Sequence, residues 1–404
     1  MSRRWSRRRV TRLLRRRALR FFYRLERRAP VDPDLAVFAA YWYRGYACNP
    51  RAIYEKLREL VPSARGVWVV DAKHARAFPP EVPHVVAATR PYYRTLARAK
   101  YFVNNVGWPA DVVKRPGQIH VQTYHGTPLK TMGLDLQKAY VASRRMNFDR
   151  LVERAAKWDF IVSSNPFSTE IWHRVTPGGY ETLEVGYPRN DVLVNATEAD
   201  VERARAELGI SPGVKSVLFA PTHREYREDY IPTADVERLA AELGEDFVVM
   251  VRAHYFYADR PREHGGRVLD VSDHPSIEEL SLAADVLVTD YSSIMFDYAV
   301  LDRPIVVHAP DWEEYRRLRG TYFDLLVEPP GVVTRTDEEL VEALRSGAAW
   351  GGEAARLRVA FRERFCSLED GRAAERVVRR VWMGEKTPPE RRETPVPVEA
   401  RADD

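Results

Sequence analysis

The sequence predicts an α/β protein made of two parallel-sheet domains that face each other across a cleft. Short apolar runs alternate with amphipathic segments along most of the chain, which is the pattern of strands connected by helices. The length of 404 residues exceeds what one ordinary hydrophobic core accommodates and suits two domains. In addition, the polar motifs follow apolar runs, which is where open α/β sheets carry functional groups.

The first strand–helix series predicts a domain spanning residues 31–200. Its expected strands cover 35–38, 66–70, 82–87, 101–104, 119–123, 159–163 and 181–185, with helices at 50–60 and 91–99. A second series predicts a domain spanning residues 210–384, joined to the first near residues 195–212. Its expected strands cover 217–220, 247–251, 268–270, 285–289 and 304–308, with helices at 234–243, 276–282, 338–344 and 354–381. The Pro-, Glu- and Arg-rich residues 385–404 are expected to be disordered.

The N-terminal residues 1–30 form a basic segment with helical periodicity. Residues 3–28 contain thirteen arginines and one glutamate, so the rest of the chain carries a formal charge of −7 when the net charge is +5. Apolar side chains recur between the arginines at positions 10, 14, 18, 21 and 25. This pattern predicts either an amphipathic helix on an anionic membrane surface or a solvated basic arm that binds RNA. The acidic body argues against a nucleic-acid-binding face on the folded domains.

Several protein classes are excluded by the sequence. No stretch reaches the roughly 18 consecutive apolar residues of a membrane-spanning helix, and the start lacks the apolar core and cleavage site of a secretory signal. Cys48 and Cys366 stand far apart without a CxxC partner, which argues against a disulfide framework or a zinc site and indicates a reducing cytoplasm. GxGxxG and GxxxxGK[ST] are both missing, so a dinucleotide enzyme or P-loop ATPase has little support.

The first polar motif, residues 122–130, directly follows an expected strand. His125 at the strand end, with Lys130 near it, has the features of a general base in an anionic pocket. Gly126 lets the backbone approach a ligand closely. A structural role for the histidine is equally compatible with the sequence alone. Near the start of the body, residues 41–43 (Tyr-Trp-Tyr) are read as core or as an interfacial aromatic patch.

Three further motifs follow strands of the second domain. Thr222 and Arg224 could bind a phosphate or a base edge, or could form an ordinary polar turn. Arg252 and His254 alternate off a strand end, so their side chains point to one face and can converge on one anion.

The motif 285–297 runs from a buried strand through Thr289, Ser292 and Ser293 into a helix. Hydroxyls and free backbone N–H groups at such a helix start can bind a phosphate, or can serve only as a helix cap. Asp290 precedes these hydroxyls and would repel a phosphate unless its carboxylate turns away or orients a partner.

Taken in order, seven segments resemble the CDP-glycerol glycerophosphotransferase family of teichoic acid biosynthesis. They are QTYHGTPLKTMGLD (122–135), SSNPFSTEIW (163–172), GYPRND (186–191), APTHRE (220–225), RAHYF (252–256), DVLVTDYSSIMFDYAVLDRPIV (285–306) and RGTYFDL (319–325). The length resembles the shorter members with a single catalytic unit. The resemblance implies a GT-B architecture, two Rossmann-like domains with the active site between them: residues 31–200 on the acceptor side and 210–384 on the CDP-donor side.

The resemblance also implies the reaction and its residues. Glycerol phosphate would pass from CDP-glycerol, or ribitol phosphate from CDP-ribitol, to a hydroxyl of a lipid-linked glycan, releasing CMP at the cytoplasmic face of the membrane. The two catalytic histidines of the family match His125 and His254, in an order that leaves open which is the base. Donor binding is assigned to Thr222, Arg224, Arg252, Thr289, Ser292 and Ser293, and the acceptor side to Gly126, Thr127, Lys130 and Asp135.

Two questions stay open at this point. The alternative activity is that of a GT-B glycosyltransferase that uses a nucleotide sugar. No cofactor is firmly implied; a divalent cation is compatible with Asp135, Asp290 and Asp297, although their spacing is not typical of a metal site.

Overall fold

The structure is a computed structural model that describes residues 2–138, 147–224, 226, 233–252 and 266–386, with side chains from residue 14 onward except that of Lys138. In these ranges the strands form two separate sheets, and every strand pair within them is parallel. The predicted α/β class is therefore confirmed.

The first sheet has the strand order β3-β2-β1-β4-β5-β6-β7. Its strands are β1 Asp32–Ala39, β2 Arg65–Val70, β3 His84–Val86, β4 Ala99–Asn104, β5 Ile119–Gln122, β6 Phe160–Ser163 and β7 Glu181–Glu184. The helices before the second sheet are α1 Ser2–Glu26, α2 Cys48–Leu60, α3 Arg90–Arg98, α4 Phe148–Ala155, α5 Pro166–Val175, α6 Asp191–Val194 and α7 Glu198–Glu207. Strand order reverses between β1 and β4, so the loops after these two strands diverge and leave room for a ligand.

The second sheet has the order β10-β9-β8-β11-β12-β13. Its strands are β8 Lys215–Ala220, β9 Phe247–Val251, β10 Val268–Asp270, β11 Val286–Thr289, β12 Ile305–His308 and β13 Val332–Thr334. The remaining helices are α8 Val236–Leu243, α9 Ile277–Ala283, α10 Ile294–Tyr298, α11 Trp312–Arg319, α12 Asp337–Arg345, α13 Gly352–Phe365 and α14 Ala373–Trp382. Here the order reverses between β8 and β11, which repeats the arrangement of the first sheet.

Both sheets carry apolar cores on both faces, which explains the unbroken apolar runs of the central strands. Every residue of β9, β11 and β12 is buried. One core of the first domain contains Phe38 and Trp68, and the core on the opposite face contains Val37 and Phe102. Neighbouring residues of a strand therefore contribute to opposite cores, as the alternation of side chains along a strand requires.

The chain crosses between the two halves twice, and the crossings lie side by side. The first runs from α6 into α7, which packs against α9 of the second half. The second follows α13, after which α14 returns and packs against α2, with Val377, Val378 and Val381 in the first core. The predicted range 210–384 for the second domain thus includes a helix that is buried against the first. Asn195 of the first crossing donates to the carbonyl of Gly371 in the second at 2.9 Å.

Helix α1 packs against α3. Tyr23 is buried in the core that contains Val37 and Phe102, and Glu26 forms ion pairs with Arg94 and Arg98. Leu14, Phe21 and Leu25, three positions of the periodic apolar stripe, are 58%, 63% and 42% exposed. No helix in the described part of the chain is long and apolar enough to cross a membrane.

Several elements differ from the sequence prediction. No helix was predicted for α5 or α7, and α7 lies within the expected connection at 195–212. Strand β13 was missed because Pro329, Pro330 and Gly331, which are typical of a loop, directly precede it. Helix α11 was also missed, since its first turn is acidic and only Trp312 and Tyr315 are buried. The single helix predicted over 354–381 is in fact two helices, separated near Gly371, which adopts a left-handed φ of 79°. The predicted tail at 385–404 lies almost entirely outside the described residues.

Candidate active site

The two halves meet where a turn of the first contacts a turn of the second. Gly126, four residues after β5, approaches Ser293 before α10 so closely that a Cβ on the glycine would lie 2.4 Å from Ser293 Oγ. Only a residue without a side chain fits this contact. The motifs 122–130 and 285–297 therefore share one cleft.

His125 lies beside this contact, and its tautomer follows from its hydrogen bond. The ring Nδ1 lies 3.1 Å from the carbonyl oxygen of Asn105, which only accepts, so Nδ1 carries the proton. Nε2 is then left with its lone pair available to accept a proton. The ring of Tyr41 packs edge-on against the imidazole, with the ring centroids 5.7 Å apart. This arrangement is that of an oriented general base.

The surroundings of His125 keep it neutral. The side chain remains exposed to the cleft, but the protein on both sides restricts hydration of a charged ring, which lowers its pKa from 6.5. The positive charges of Arg189 and Lys130 lower the pKa further. A neutral imidazole is the form that removes a proton near pH 7.

The other predicted acceptor-side residues lie along the same segment but make different contacts. Thr127 is buried, and its hydroxyl is 2.9 Å from the hydroxyl of Ser164. Lys130 pairs through its backbone with Thr321, in an antiparallel bridge that connects the two halves. Asp135 lies farther along and accepts from Nε of Arg174 at 3.0 Å. The structure therefore keeps Gly126 at the cleft and commits Thr127 and Asp135 to internal contacts.

In the second half, Asp290 connects the loops that follow β8 and β11. Its carboxylate accepts from the backbone N–H of Thr222 at 2.8 Å and from Arg224 Nη1 at 2.9 Å. It also accepts from the backbone N–H of Tyr291. The carboxylate thus turns away from Ser292 and Ser293, which resolves the expected repulsion toward a phosphate.

Arg224 and Thr289 are used inside the domain. The Arg224 guanidinium is buried between the carboxylates of Asp290 and Asp311, at 2.9 and 2.8 Å. Burial alone would lower its pKa, but these two negative charges raise it above its ordinary value. The Thr289 hydroxyl donates to the carbonyl of Ala220 at 2.7 Å. Both residues hold the loops of the site in position from behind.

The remaining donor-side predictions occupy the rim of the second half or fall outside the described residues. Arg252 Nη1 donates to the carbonyl oxygens of Val271 and His274 at 3.3 and 2.9 Å. Ser292 accepts weakly from the backbone of Ile294 at 3.4 Å. Ser293 contacts Gly126, as described above. His254, predicted as the second catalytic histidine, lies outside the described residues.

A buried ion pair between the halves, here called the clasp, was not among the predicted site residues. Arg189 forms two hydrogen bonds to the carboxylate of Asp297 on α10, and their side chains are 7% and 13% exposed. The backbone N–H of Arg189 also donates to Asn49 Oδ1 at 3.0 Å. Asn49 in turn donates to the carbonyls that precede His125, at 3.1 Å each. The clasp thus connects the donor-side helix to the turn that carries the histidine.

Among the described residues, no group of three or more His, Cys, Asp or Glu side chains is arranged to hold a metal ion. The three aspartates considered from the sequence have other partners. Asp135 bonds Arg174, Asp290 bonds Arg224, and Asp297 bonds Arg189.

Comparison with known proteins gives one consistent result. Residues 21–383 match the sequence profile of the CDP-Glycerol:Poly(glycerophosphate) glycerophosphotransferase family. The chain is 35% identical over 365 residues to the teichoic acid glycerol-phosphate transferase of Staphylococcus aureus, covering 87% of this chain and 93% of that protein. It is also 35% identical over 375 residues to the teichoic acid poly(glycerol phosphate) polymerase of Bacillus subtilis, covering 89% of this chain. The chain spans only about half of the length of that polymerase, 50%.

A solved structure of similar architecture extends this result to the fold. The wall teichoic acid polymerase TagF superimposes with a TM-score of 0.81 at 30% sequence identity. The superposition covers 90% of this chain and 92% of that one.

Proposed function

Because the chain belongs to the CDP-glycerol:poly(glycerophosphate) glycerophosphotransferase family, we propose that it transfers glycerol phosphate from CDP-glycerol to a hydroxyl of a lipid-linked glycan. CMP is the second product, and the pathway is the synthesis of teichoic acid or a related cell-surface polymer. The observation that carries the proposal is the position of His125. Its Nδ1–H is fixed on Asn105, its Nε2 is available as a base, and the hydroxyl-bearing turn of the donor side lies directly opposite.

In this mechanism His125 removes the proton of the acceptor hydroxyl as the oxygen attacks the β-phosphorus of CDP-glycerol. The new oxygen–phosphorus bond forms in line with the bond between the β-phosphorus and the bridging oxygen. That bond breaks, and the bridging oxygen leaves as part of CMP. Hydrogen-bond donors positioned beforehand stabilise the charge that develops on the phosphoryl oxygens. A general base contributes roughly 10²–10⁴-fold to such a reaction.

On the donor side we assign direct contact with the pyrophosphate to Ser292, Ser293 and Arg252. His254 would supply the second imidazole from the same half. Arg224 and Thr289 act indirectly, because their polar groups bond Asp290, Asp311 and Ala220 and so fix the loop that contains Thr222. Thr222 Oγ1 is buried and has no hydrogen-bond partner in the described part of the chain, and we assign this hydroxyl to the donor side as well.

On the acceptor side, Gly126 provides close backbone approach, and Lys130 lies in the segment that follows. Thr127 and Asp135 support this segment through Ser164 and Arg174. The negative charge of a lipid-linked acceptor suits the positive charge of Lys130 near His125.

The assay that tests this proposal measures released nucleotide. CDP-glycerol, CDP-ribitol and common nucleotide sugars are each incubated with the enzyme and a lipid-linked acceptor, and products are identified by mass spectrometry. We expect CMP release and acceptor products heavier by one or more glycerol phosphate groups. His125→Ala should lower the rate by about 10²–10⁴-fold, whereas His173→Ala, an exposed histidine on α5, should leave it unchanged. Transfer of a sugar with no transfer from either CDP-alditol would establish the alternative glycosyltransferase activity instead.

We further propose that α1 attaches the enzyme to the cytoplasmic face of the membrane. The apolar side chains of Leu14, Phe21 and Leu25 are exposed on a helix rich in arginine, which suits an interface with anionic lipids. A cavity of about 270 Å³ between α1 and the start of α3 adds a basic recess. It is lined by Arg15, Ala18, Leu19, Phe22, Thr89 and Arg90.

Membrane attachment is tested by sedimentation with vesicles of phosphatidylglycerol and phosphatidylcholine. The double variant Leu14→Ser/Phe21→Ser should bind at least tenfold more weakly, because it removes apolar area that would enter the bilayer. Val359→Ser, which changes an exposed apolar residue on α13, serves as the control. Equal vesicle binding by the double variant and the wild type would refute the attachment through α1.

A further inference from the structure

We propose that the aromatic turn, residues 41–44 after β1, forms the saccharide-binding part of the acceptor site, with Trp42 as the surface on which a sugar ring packs. The inference rests on the proposed function, because it takes the first domain as the acceptor side. It adds a substrate-contacting residue to that side.

The turn lies at the point of the first sheet where ligands are expected. It follows β1 directly, and Asn105 follows the neighbouring strand β4. Strand order reverses between these two strands, and open α/β sheets bind ligands in the crevice beyond such a point. The equivalent point of the second sheet, between β8 and β11, contains Thr222 and Asp290.

The backbone of the turn is held in an unfavourable conformation. Tyr41, Trp42 and Tyr43 have φ values of 45°, 57° and 72°, so three consecutive bulky residues are left-handed. Such residues rarely adopt this region, and strained conformations of this kind cluster at ligand sites. The conformation is maintained by hydrogen bonds from the backbone of Tyr41 to Asn105 Oδ1 at 2.9 Å and from Asp71 to the carbonyl of Tyr43 at 2.8 Å.

The strain has a consequence for where the three rings lie. Tyr41 turns inward against His125, and Tyr43 turns inward to lie near Tyr92 and Trp108, at centroid distances of 6.2 and 6.1 Å. Trp42 is left 56% exposed between them in sequence. Packing accounts for the two tyrosines, but it gives no reason for an exposed indole at this place.

The chemistry of the turn fits a glycan that carries phosphate. The flat apolar face of an indole packs against the C–H face of a sugar ring, and its N–H can donate to a hydroxyl. The guanidinium of Arg44 lies 5.9 Å from the Trp42 ring and matches phosphate oxygens in charge and geometry. Asn105 holds both Tyr41 and His125, so the distance from the turn to the proposed base is fixed.

The test measures acceptor and donor kinetics separately in Trp42→Ala, Trp42→Phe and the control Val359→Ala. The acceptor probe is a disaccharide linked through diphosphate to a short alkyl chain, used without membranes. We expect Trp42→Ala to raise the KM for this acceptor at least tenfold. The KM for CDP-glycerol and the melting temperature should stay unchanged, Trp42→Phe should recover most of the loss, and Val359→Ala should match the wild type.

Three results separate this inference from its alternatives. An unchanged acceptor KM in Trp42→Ala, with an active wild type, overturns it. Weaker binding of Trp42→Ala to anionic vesicles, with unchanged kinetics on the short-chain acceptor, also overturns it, because Trp42 would then be a membrane contact. A wild type that releases no CMP from CDP-glycerol refutes the proposed function itself. In that case direct binding of the acceptor probe, measured by calorimetry, still decides whether Trp42 contacts the saccharide.

Discussion

Replacement of Gly126 by alanine tests whether contact between the two halves sets the geometry of the reaction. The added Cβ would lie 2.4 Å from Ser293 Oγ and 2.8 Å from Ser293 Cβ. A rotated hydroxyl could relieve the first contact, but the second involves an atom fixed by the backbone. The two turns must therefore move apart, and overpacking of this size costs about 1–3 kcal/mol.

If that cost falls on the closed state in which transfer occurs, kcat/KM should drop by about 5- to 150-fold. The assay is steady-state CMP release with both substrates varied. Ser293→Gly removes the obstructing Cβ, so Gly126→Ala should cost less when it is added to Ser293→Gly than when it is added to the wild type. The part of the loss that remains reflects the φ of 156° at residue 126. Gly179→Ala, where an added Cβ meets nothing within 4 Å, is the matched control. A Gly126→Ala enzyme with wild-type kcat/KM, or an equal loss from Gly126→Ala in the wild type and in Ser293→Gly, would refute the reasoning.

Three further predictions follow from the buried charges and the histidine. Burial and nearby cations lower the pKa of His125 below 6.5. Because the base must be neutral, kcat/KM should rise with pH through a midpoint below 6.5 and then level off. A midpoint above 7 would contradict this prediction. Arg189→Ala leaves Asp297 buried without its cation and should lower the free energy of unfolding by about 3–5 kcal/mol in denaturant titration. The double variant Arg189→Ala/Asp297→Ala should lose less stability than the sum of the two single variants. Strict additivity would show that the clasp has no coupling energy. Burial raises the pKa of Asp191 from 3.8 to about 6, so the folded state binds this proton more tightly than the unfolded state does. The free energy of unfolding should therefore fall by up to about 3 kcal/mol as the pH rises from 4 to 6. Asp191→Asn should flatten the dependence of the free energy of unfolding on pH in that range, and an unchanged dependence would count against this prediction.

Most strands were predictable because both faces of each sheet are covered. A run such as Phe247–Val251 must then be apolar throughout, and the sequence prediction matches that strand residue for residue. The two elements β13 and α11 were missed for local reasons, because β13 follows a Pro-Pro-Gly sequence and α11 has only Trp312 and Tyr315 buried.

The candidate site residues were predicted from their positions directly after strands. That rule singled out His125, Thr222 and Ser293, which remain predictions as site residues, and the same rule applied after β4 would have indicated Asn105. The role of each of these side chains was harder to predict from the sequence. Arg224 has the sequence context of an anion-binding arginine, yet Asp290 and Asp311, 66 and 87 residues further on, neutralise it.

The clasp illustrates the limit of reasoning from local sequence. Arg189 and Asp297 are 108 residues apart, and no periodicity relates them. Each lies in a motif that was singled out, but only the fold shows that they meet. An arginine in a short turn is usually solvated, so its burial against an aspartate required knowledge of both domains.

The paired crossings between the halves determine how the enzyme can open. With one connection, the second half could rotate in any direction. Two adjacent crossings joined by the hydrogen bond from Asn195 to Gly371 instead restrict the motion to rotation about a single axis. Substrate entry then corresponds to rotation about that line. Gly126 lies close to the axis, because its carbonyl accepts from the Tyr187 hydroxyl at 3.0 Å and the Tyr187 backbone N–H donates to Glu369 of the second crossing at 3.1 Å. Helix α14 follows the second crossing and holds it against the first domain. A chain shortened before Ala373 would therefore lose this attachment and part of the core of the first domain.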